Sequence, residues 1–130
     1  MDDRIEKPLD RLFESGPALP SKIRGLLENA INAPGKCNRN LRADVMLRAA
    51  TLSMGSAAAE VPGEMKQYLD KVALWAYKVI DEELEALREA GHSDDEIFEI
   101  TICAALGSGL ARYQAGLIAL EEELNCEDNA

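Results

Sequence analysis

The stretch Gly91-His92-Ser93-Asp94-Asp95-Glu96-Ile97-Phe98-Glu99-Ile100-Thr101-Ile102-Cys103-Ala104-Ala105-Leu106 decides the reading of this chain, because it places a helix stop, a turn and a helix start side by side. Gly91 suits the residue just past a helix end, where a left-handed backbone carries no Cβ penalty. Ser93-Asp94-Asp95-Glu96 fits a capping box: the Ser93 hydroxyl accepts from the N–H of Glu96, and the Glu96 carboxylate reaches back to the N–H of Ser93. Asp94 and Asp95 put negative charge on the positive end of the helix dipole.

From Ile97 onward the apolar residues fall on two stripes at helical spacing. One holds Phe98, Ile102, Leu106, Gly109, Tyr113, Leu117, Leu120 and Leu124. The other holds Ile97, Ile100, Thr101, Ala104, Ser108, Ala111, Ala115 and Ile118, and is mostly small. A helix apolar on two faces is expected at the centre of a bundle, packed on both sides. Gly107 and Gly109 each cost about 1 kcal/mol against Ala inside a helix, which suggests close packing or a kink there. Glu99 and Arg112 interrupt the apolar run, on different faces, and each is either solvated or matched by a partner on another helix or subunit.

The rest of the chain reads as helices separated by Pro and Gly. Residues 1–20 form an arm in which Leu9, Leu12 and Phe13 can make one apolar turn. Ser21 caps a helix to about Ala33, ended by Pro34-Gly35. Asn40 caps a helix from Leu41 to about Glu60, and Pro62-Gly63 breaks the chain. A helix from Glu64 to Lys78 carries Met65, Tyr68, Leu69, Val72 and Trp75, and Asp81 caps a short helix to Ala90. No strand-like alternation persists. The expectation is an all-α, single-domain bundle of five or six helices around a long central helix 94–124, with the domain at 21–124 and a polar tail at 125–130.

Composition excludes several functions. The chain of 130 residues is 47% hydrophobic, long enough for a core, and acidic at net charge −10. That charge disfavours nucleic acid and anionic membranes. Lys22, Arg24, Lys36, Arg39, Arg42 and Arg48 concentrate positive charge in the first half as a local patch. No apolar run is long enough for a membrane span. The charged start lacks an apolar signal region, and the three cysteines are odd in number, so a cytoplasmic protein with reduced thiols is expected. One histidine and no Cys-x-x-Cys make a metal centre improbable, and no cofactor is expected.

The segment from about Pro62 to Leu120 resembles the alkylhydroperoxidase D-like superfamily, which includes the carboxymuconolactone decarboxylases. The resemblance lies in Leu87-Arg-Glu-Ala-Gly91, then His92-Ser-Asp-Asp-Glu-Ile97, then the alanine-rich helix from Phe98 to Leu120. It implies an all-α fold that assembles as a homo-oligomer, a trimer or hexamer. Peroxidase members carry Glu-x-x-Cys-x-x-Cys-x-x-x-His on the preceding helix, where paired thiols do the redox work. Here that region reads Leu74-Trp-Ala-Tyr-Lys-Val-Ile-Asp-Glu-Glu83, with no Cys or His, so no catalytic residue carries over and the enzymatic question stays open.

The residues themselves offer a few candidates. Cys103 is either a lone peroxidatic thiol or a small buried hydrophobe. Cys37, beside Lys36 and Arg39, has cations that would favour a thiolate. His92 is a general base beside Asp94 and Asp95, or a solvated turn residue. Glu82, Glu83, Glu85 and Glu89 read as a solvated face with Arg88 pairing within it. Trp75, Tyr113, Glu99 and Arg112 are the expected neighbours of a pocket for a small-molecule ligand, the last two as polar contacts. Three functions follow: an alkylhydroperoxidase D-like protein that has lost its redox motif and acts as an oligomeric binding or interaction module; a cysteine-dependent antioxidant enzyme using Cys37 or Cys103; and a structural subunit docked through its N-terminal arm.

Overall fold

The computed structural model describes residues 19–53, 55 and 59–128, so the expected docking turn at Leu9, Leu12 and Phe13 lies outside the described residues. Among the described residues five α-helices follow one another: α1 (Ser21–Asn32), α2 (Arg39–Leu52), α3 (Gly63–Leu74), α4 (Asp81–Glu89) and α5 (Asp94–Asp128). A short 3-10 turn, Ala76–Lys78, lies between α3 and α4, and no strand occurs among the described residues. The all-helical architecture agrees with the sequence.

The helix boundaries follow local chemistry, with some corrections. Pro20, not Ser21, precedes α1; its fixed φ of −55° sets the entry, and its carbonyl accepts from Ile23 and Arg24. Asn38, not Asn40, caps α2, its side chain accepting from the N–H of Leu41 at 2.7 Å. The helix expected through Lys78 stops at Leu74, because Trp75 leaves helical space at φ −144° and ψ 60°. At the far end α5 runs on to Asp128, so the expected polar tail from 125 is helical through that residue.

The Gly91 turn forms as read. Gly91 sits at φ +101°, its N–H donates to the Arg88 carbonyl, and the His92 N–H donates to the Leu87 carbonyl. This is the Schellman pattern of a glycine-terminated helix. Half of the capping box is present: the Glu96 N–H donates to Ser93 Oγ at 3.2 Å. The Glu96 carboxylate instead takes the Ser93 hydroxyl and His92 Nδ1.

α5 packs against all four of the other helices, as expected of the central one, and the most deeply buried helix is α2. Eight of its 14 residues are buried, on every side, including Arg42 and Arg48. α5 is packed on one side. Of its small-residue stripe Ile97, Ile100, Ala104, Ser108 and Ala111 are buried against the core, joined by Cys103, while Ala115 and Ile118 are exposed; the most extensive helix pairing of the fold is that with α2. An added Cβ at Gly107 would collide with the Met46 carbonyl of α2, so this glycine sets the helix–helix distance. Gly109 meets nothing and faces outward.

Arg48 fastens α2 to α3. Its Nε and Nη2 donate to the two Asp70 oxygens at 2.8 and 2.9 Å, and Nη1 reaches the Ala59 carbonyl. The expected patch of exposed positive charge therefore loses Arg42 and Arg48 to the interior.

Candidate functional site

The large-residue stripe of α5 is uncovered. Phe98, Ile102, Tyr113, Leu120 and Leu124 are exposed, Phe98 at 64% of its surface. After Gln114 no residue whose side chain is described is buried, although the helix continues for more than three turns. Alongside this face runs α1, which presents Leu26, also exposed. Between the two helices lies a shallow apolar groove of about 200 Å³, lined by Ile23, Leu26, Leu27, Ala105, Leu106, Gly109, Leu110 and Tyr113. The two-sided apolarity thus does not mean packing on both sides: as far as Gln114 one stripe builds the core and the other faces out.

The four residues expected around one ligand pocket are placed at different locations. Glu99 is turned to the α1–α2 loop. Both its oxygens accept from the Lys36 N–H, at 2.8 and 2.9 Å, and one accepts from the Cys37 N–H at 3.2 Å. Arg112 reaches the other way, donating from Nη2 to the Ala73 carbonyl at 3.0 Å. Ser108 Oγ donates to that same carbonyl at 2.7 Å, so the pair closes the C-terminal end of α3. Thirteen positions apart, Glu99 and Arg112 are separated by about 20 Å along the helix, and each has its own backbone partner. Tyr113 lines the α1–α5 groove. Trp75 is half exposed beyond the end of α3, with Lys78 Nζ 5.3 Å from its ring centroid. Tyr68, by contrast, is core, its hydroxyl 2.5 Å from Thr101 Oγ1.

The cysteines differ from the expectation for Cys37. Its thiol is buried and faces carboxylates: burial, Glu99 and Glu96 push it up to about 11, and Arg42 only partly offsets this. The charges that act on it are those of Glu99, Glu96 and Arg42, not those of its sequence neighbours Lys36 and Arg39. Cys103 is buried on the core face of α5, and burial pushes it up to about 12. Both are protonated at neutral pH and poor nucleophiles. Cys126 is exposed.

His92 bridges two helix starts. Its Nδ1 is 3.1 Å from Glu96 and its Nε2 3.1 Å from Glu64 at the start of α3. These bonds, the one to Glu96 first, raise its pKa. Asp94 is taken by Arg88 at 2.8 Å. Glu83 pairs with Lys71 and Glu85 with Arg88. Among the described residues no group of three His, Cys, Asp or Glu side chains is placed to hold a metal, and no helix is long and apolar enough to cross a membrane.

Sequence reasoning missed the buried arginines. Their signal was present: Arg42 and Arg48 sit in a run, Leu41 to Leu52, that is otherwise apolar apart from Asp44 and Thr51.

No family model matches the chain, and no curated protein or solved structure matches it. The fold and this face define an all-helical protein whose longest helix keeps one apolar side uncovered.

Proposed function

We propose that the protein is an oligomeric interaction module, built on the alkylhydroperoxidase D-like plan without its redox motif, and that the outer face of α5 is its contact surface. The carrying observation is that face: large apolar side chains from Phe98 to Leu124 are exposed along one helix, joined by Leu26 of α1. Contiguous exposed apolar surface marks an interaction site in proteins that stay in solution. The groove beside Tyr113, at about 200 Å³ smaller than a usual ligand pocket, suits an apolar side chain of a partner. A trimer or hexamer is the assembly that the family plan favours. The cysteine-dependent alternative asks for an ionised thiol, and it has the weaker support because both buried thiols are held protonated.

The test is sedimentation velocity on the full chain and on Ile102→Asp, which places a charge in the middle of the face. The wild type is expected to sediment as an oligomer at tens of micromolar, and the variant as a monomer of unchanged helical circular dichroism. A monomeric wild type, or a variant that assembles equally well, overturns the proposal.

A further inference from the structure

The outer stripe of α5 reads nearly the same from both ends. About residue 111, Phe98 and Leu124 stand thirteen positions to either side, Ile102 and Leu120 nine, and Gly109 and Tyr113 two. Leu106 and Leu117 come within one position of matching, at five and six. The stripe also recurs every 11 residues, from Phe98 to Gly109 to Leu120 and from Ile102 to Tyr113 to Leu124. That period is about 3.67 residues per turn, close to that of the α-helix itself, so the row keeps to one side over its length of about 39 Å. A row with this symmetry matches an antiparallel copy of itself, with Tyr113 of each copy opposite the small Gly109 of the other.

The body supplies a bed for such a copy. α1 lies antiparallel to α5: Ile23 shares the groove with Tyr113, and Ala33 shares a smaller hollow of about 170 Å³ with Phe98 and Ile102. Both hollows therefore lie along the first half of the stripe. In the antiparallel match Leu117 of a second copy comes level with Ala105 in the groove, and Leu120 and Leu124 come level with Ile102 and Phe98. These three leucines stand on the overhang beyond Gln114, which the body of their own chain leaves uncovered.

Charge selects the direction. After Arg112 the chain has no further Lys or Arg, and the overhang carries Glu121, Glu122, Glu123 and Glu127. A parallel pair would set two such acidic segments side by side, where like charges repel. The other end of the stripe is balanced: Asp94, Asp95, Glu96 and Glu99 are matched in number by Arg88 and by Lys36, Arg39 and Arg42 of the α1–α2 turn. An antiparallel pair brings each acidic overhang to that balanced end.

We propose that the partner of the α5 face is a second copy of this chain, laid antiparallel about a twofold axis beside residue 111, so that each overhang rests on the α1–α5 groove of the other copy. The inference rests on the reading of the α5 face as a contact surface, and it narrows the assembly: a hexamer can contain such twofold contacts, and a bare trimer cannot.

Ile102→Cys and Leu120→Cys, made singly and together in a Cys126→Ser background, test it by oxidation with diamide and electrophoresis without reductant. Both positions are exposed, and Cys37 and Cys103 are buried, so the fold is kept and the background is silent. Within one chain the two positions lie about 27 Å apart along the helix, and in the antiparallel pair the two copies of either single cysteine lie about as far apart. A disulfide needs Cα atoms within about 7 Å, which only position 102 against position 120 of the second copy provides. The expected result is a covalent dimer as the largest product of the double variant, and no product from either single variant. Covalent dimers from a single variant, a ladder of larger products, or no product from the double variant would overturn the antiparallel pair. Sedimentation of the wild type at tens of micromolar keeps the two readings apart. A monomer overturns the contact face and this inference together, whereas an oligomer with the wrong cross-links overturns this inference alone.

Discussion

Glu99 holds the Lys36 backbone N–H with both carboxylate oxygens, at 2.8 and 2.9 Å, and so ties the α1–α2 loop to the long helix. The same carboxylate fills the space where a Cβ of residue 35 would go, which is why Gly35 suits the loop. It also stands beside the Cys37 thiol and helps keep it protonated.

Glu99→Gln removes that charge and keeps the shape. The Cys37 pKa is expected to fall from about 11 yet stay above its ordinary 9.0, because burial, the larger cause, persists. In a background with Cys103 and Cys126 replaced by Ser, the pH profile of Cys37 alkylation should shift to lower pH. A profile unmoved by the substitution would remove Glu99 from the thiol's surroundings. Loss of the charged acceptor should also cost about 1–2 kcal/mol in urea unfolding.

The two helix glycines should respond with opposite signs. Gly107→Ala drives a methyl into the Met46 carbonyl and should destabilise the protein by about 1–3 kcal/mol. Gly109→Ala meets open space and should stabilise it by up to about 1 kcal/mol through helix propensity. Paired denaturation curves check this, and equal effects would refute the assigned helix–helix contact.

Asp70→Ala leaves Arg48 buried without its counter-ion. With Asp70 itself partly exposed at 26%, the cost is expected near the lower end for a broken buried pair, about 3 kcal/mol. Joint replacement, Arg48→Met with Asp70→Leu, should recover most of it. A double variant no better than the single one would show that the arginine's bond to Ala59 matters more than the ion pair.

The His92 bridge gives the fold a pH signature. His92 is raised from 6.5, so its contribution is full below about pH 6.5 and is lost as pH rises through the folded value. Glu64 and Glu96 are lowered from 4.5, Glu64 by its own backbone bond and then His92, Glu96 by His92, so theirs is full above about pH 4.5 and is lost on acidification. The bridge is therefore most stabilising between about pH 4.5 and 6.5. His92→Gln should flatten the fall in unfolding free energy between pH 6 and pH 8, and an unchanged slope would count against the bridge.

Helix type and order were legible because Pro and Gly punctuate the chain and because Gly91 and Ser93 announce a turn through their backbone needs alone. What escaped was direction. Both stripes of α5 are apolar, and which one faces the core depends on what approaches closely enough, a matter decided by Gly107 against Met46 across the fold. A related reason separates the residues expected around a ligand pocket: Glu99, Arg112 and Tyr113 share α5, but their partners (Lys36, Ala73 and the α1 groove) lie on separate sides, and Trp75 stands beyond α3 beside Lys78. Cys37 was read from its sequence neighbours Lys36 and Arg39, whereas the charges it faces come from α5, about sixty residues away in the chain. The apolar run around Arg42 and Arg48 marks both as buried, but the acceptors that answer them, Ala33 and Asp70, lie on other segments that no local pattern encodes.

The 35 residues of α5 extend about 52 Å, more than twice the span of any other helix here, and the body supports the helix only as far as Gln114. A free helical segment of that remaining length is marginal in water. Amide hydrogen exchange along α5 should then fall into two regimes, slow before Gln114 and fast after it, whenever the protein is alone. Protection spreading toward residue 124 would report that something has covered the overhang, so this helix carries its own indicator of occupancy.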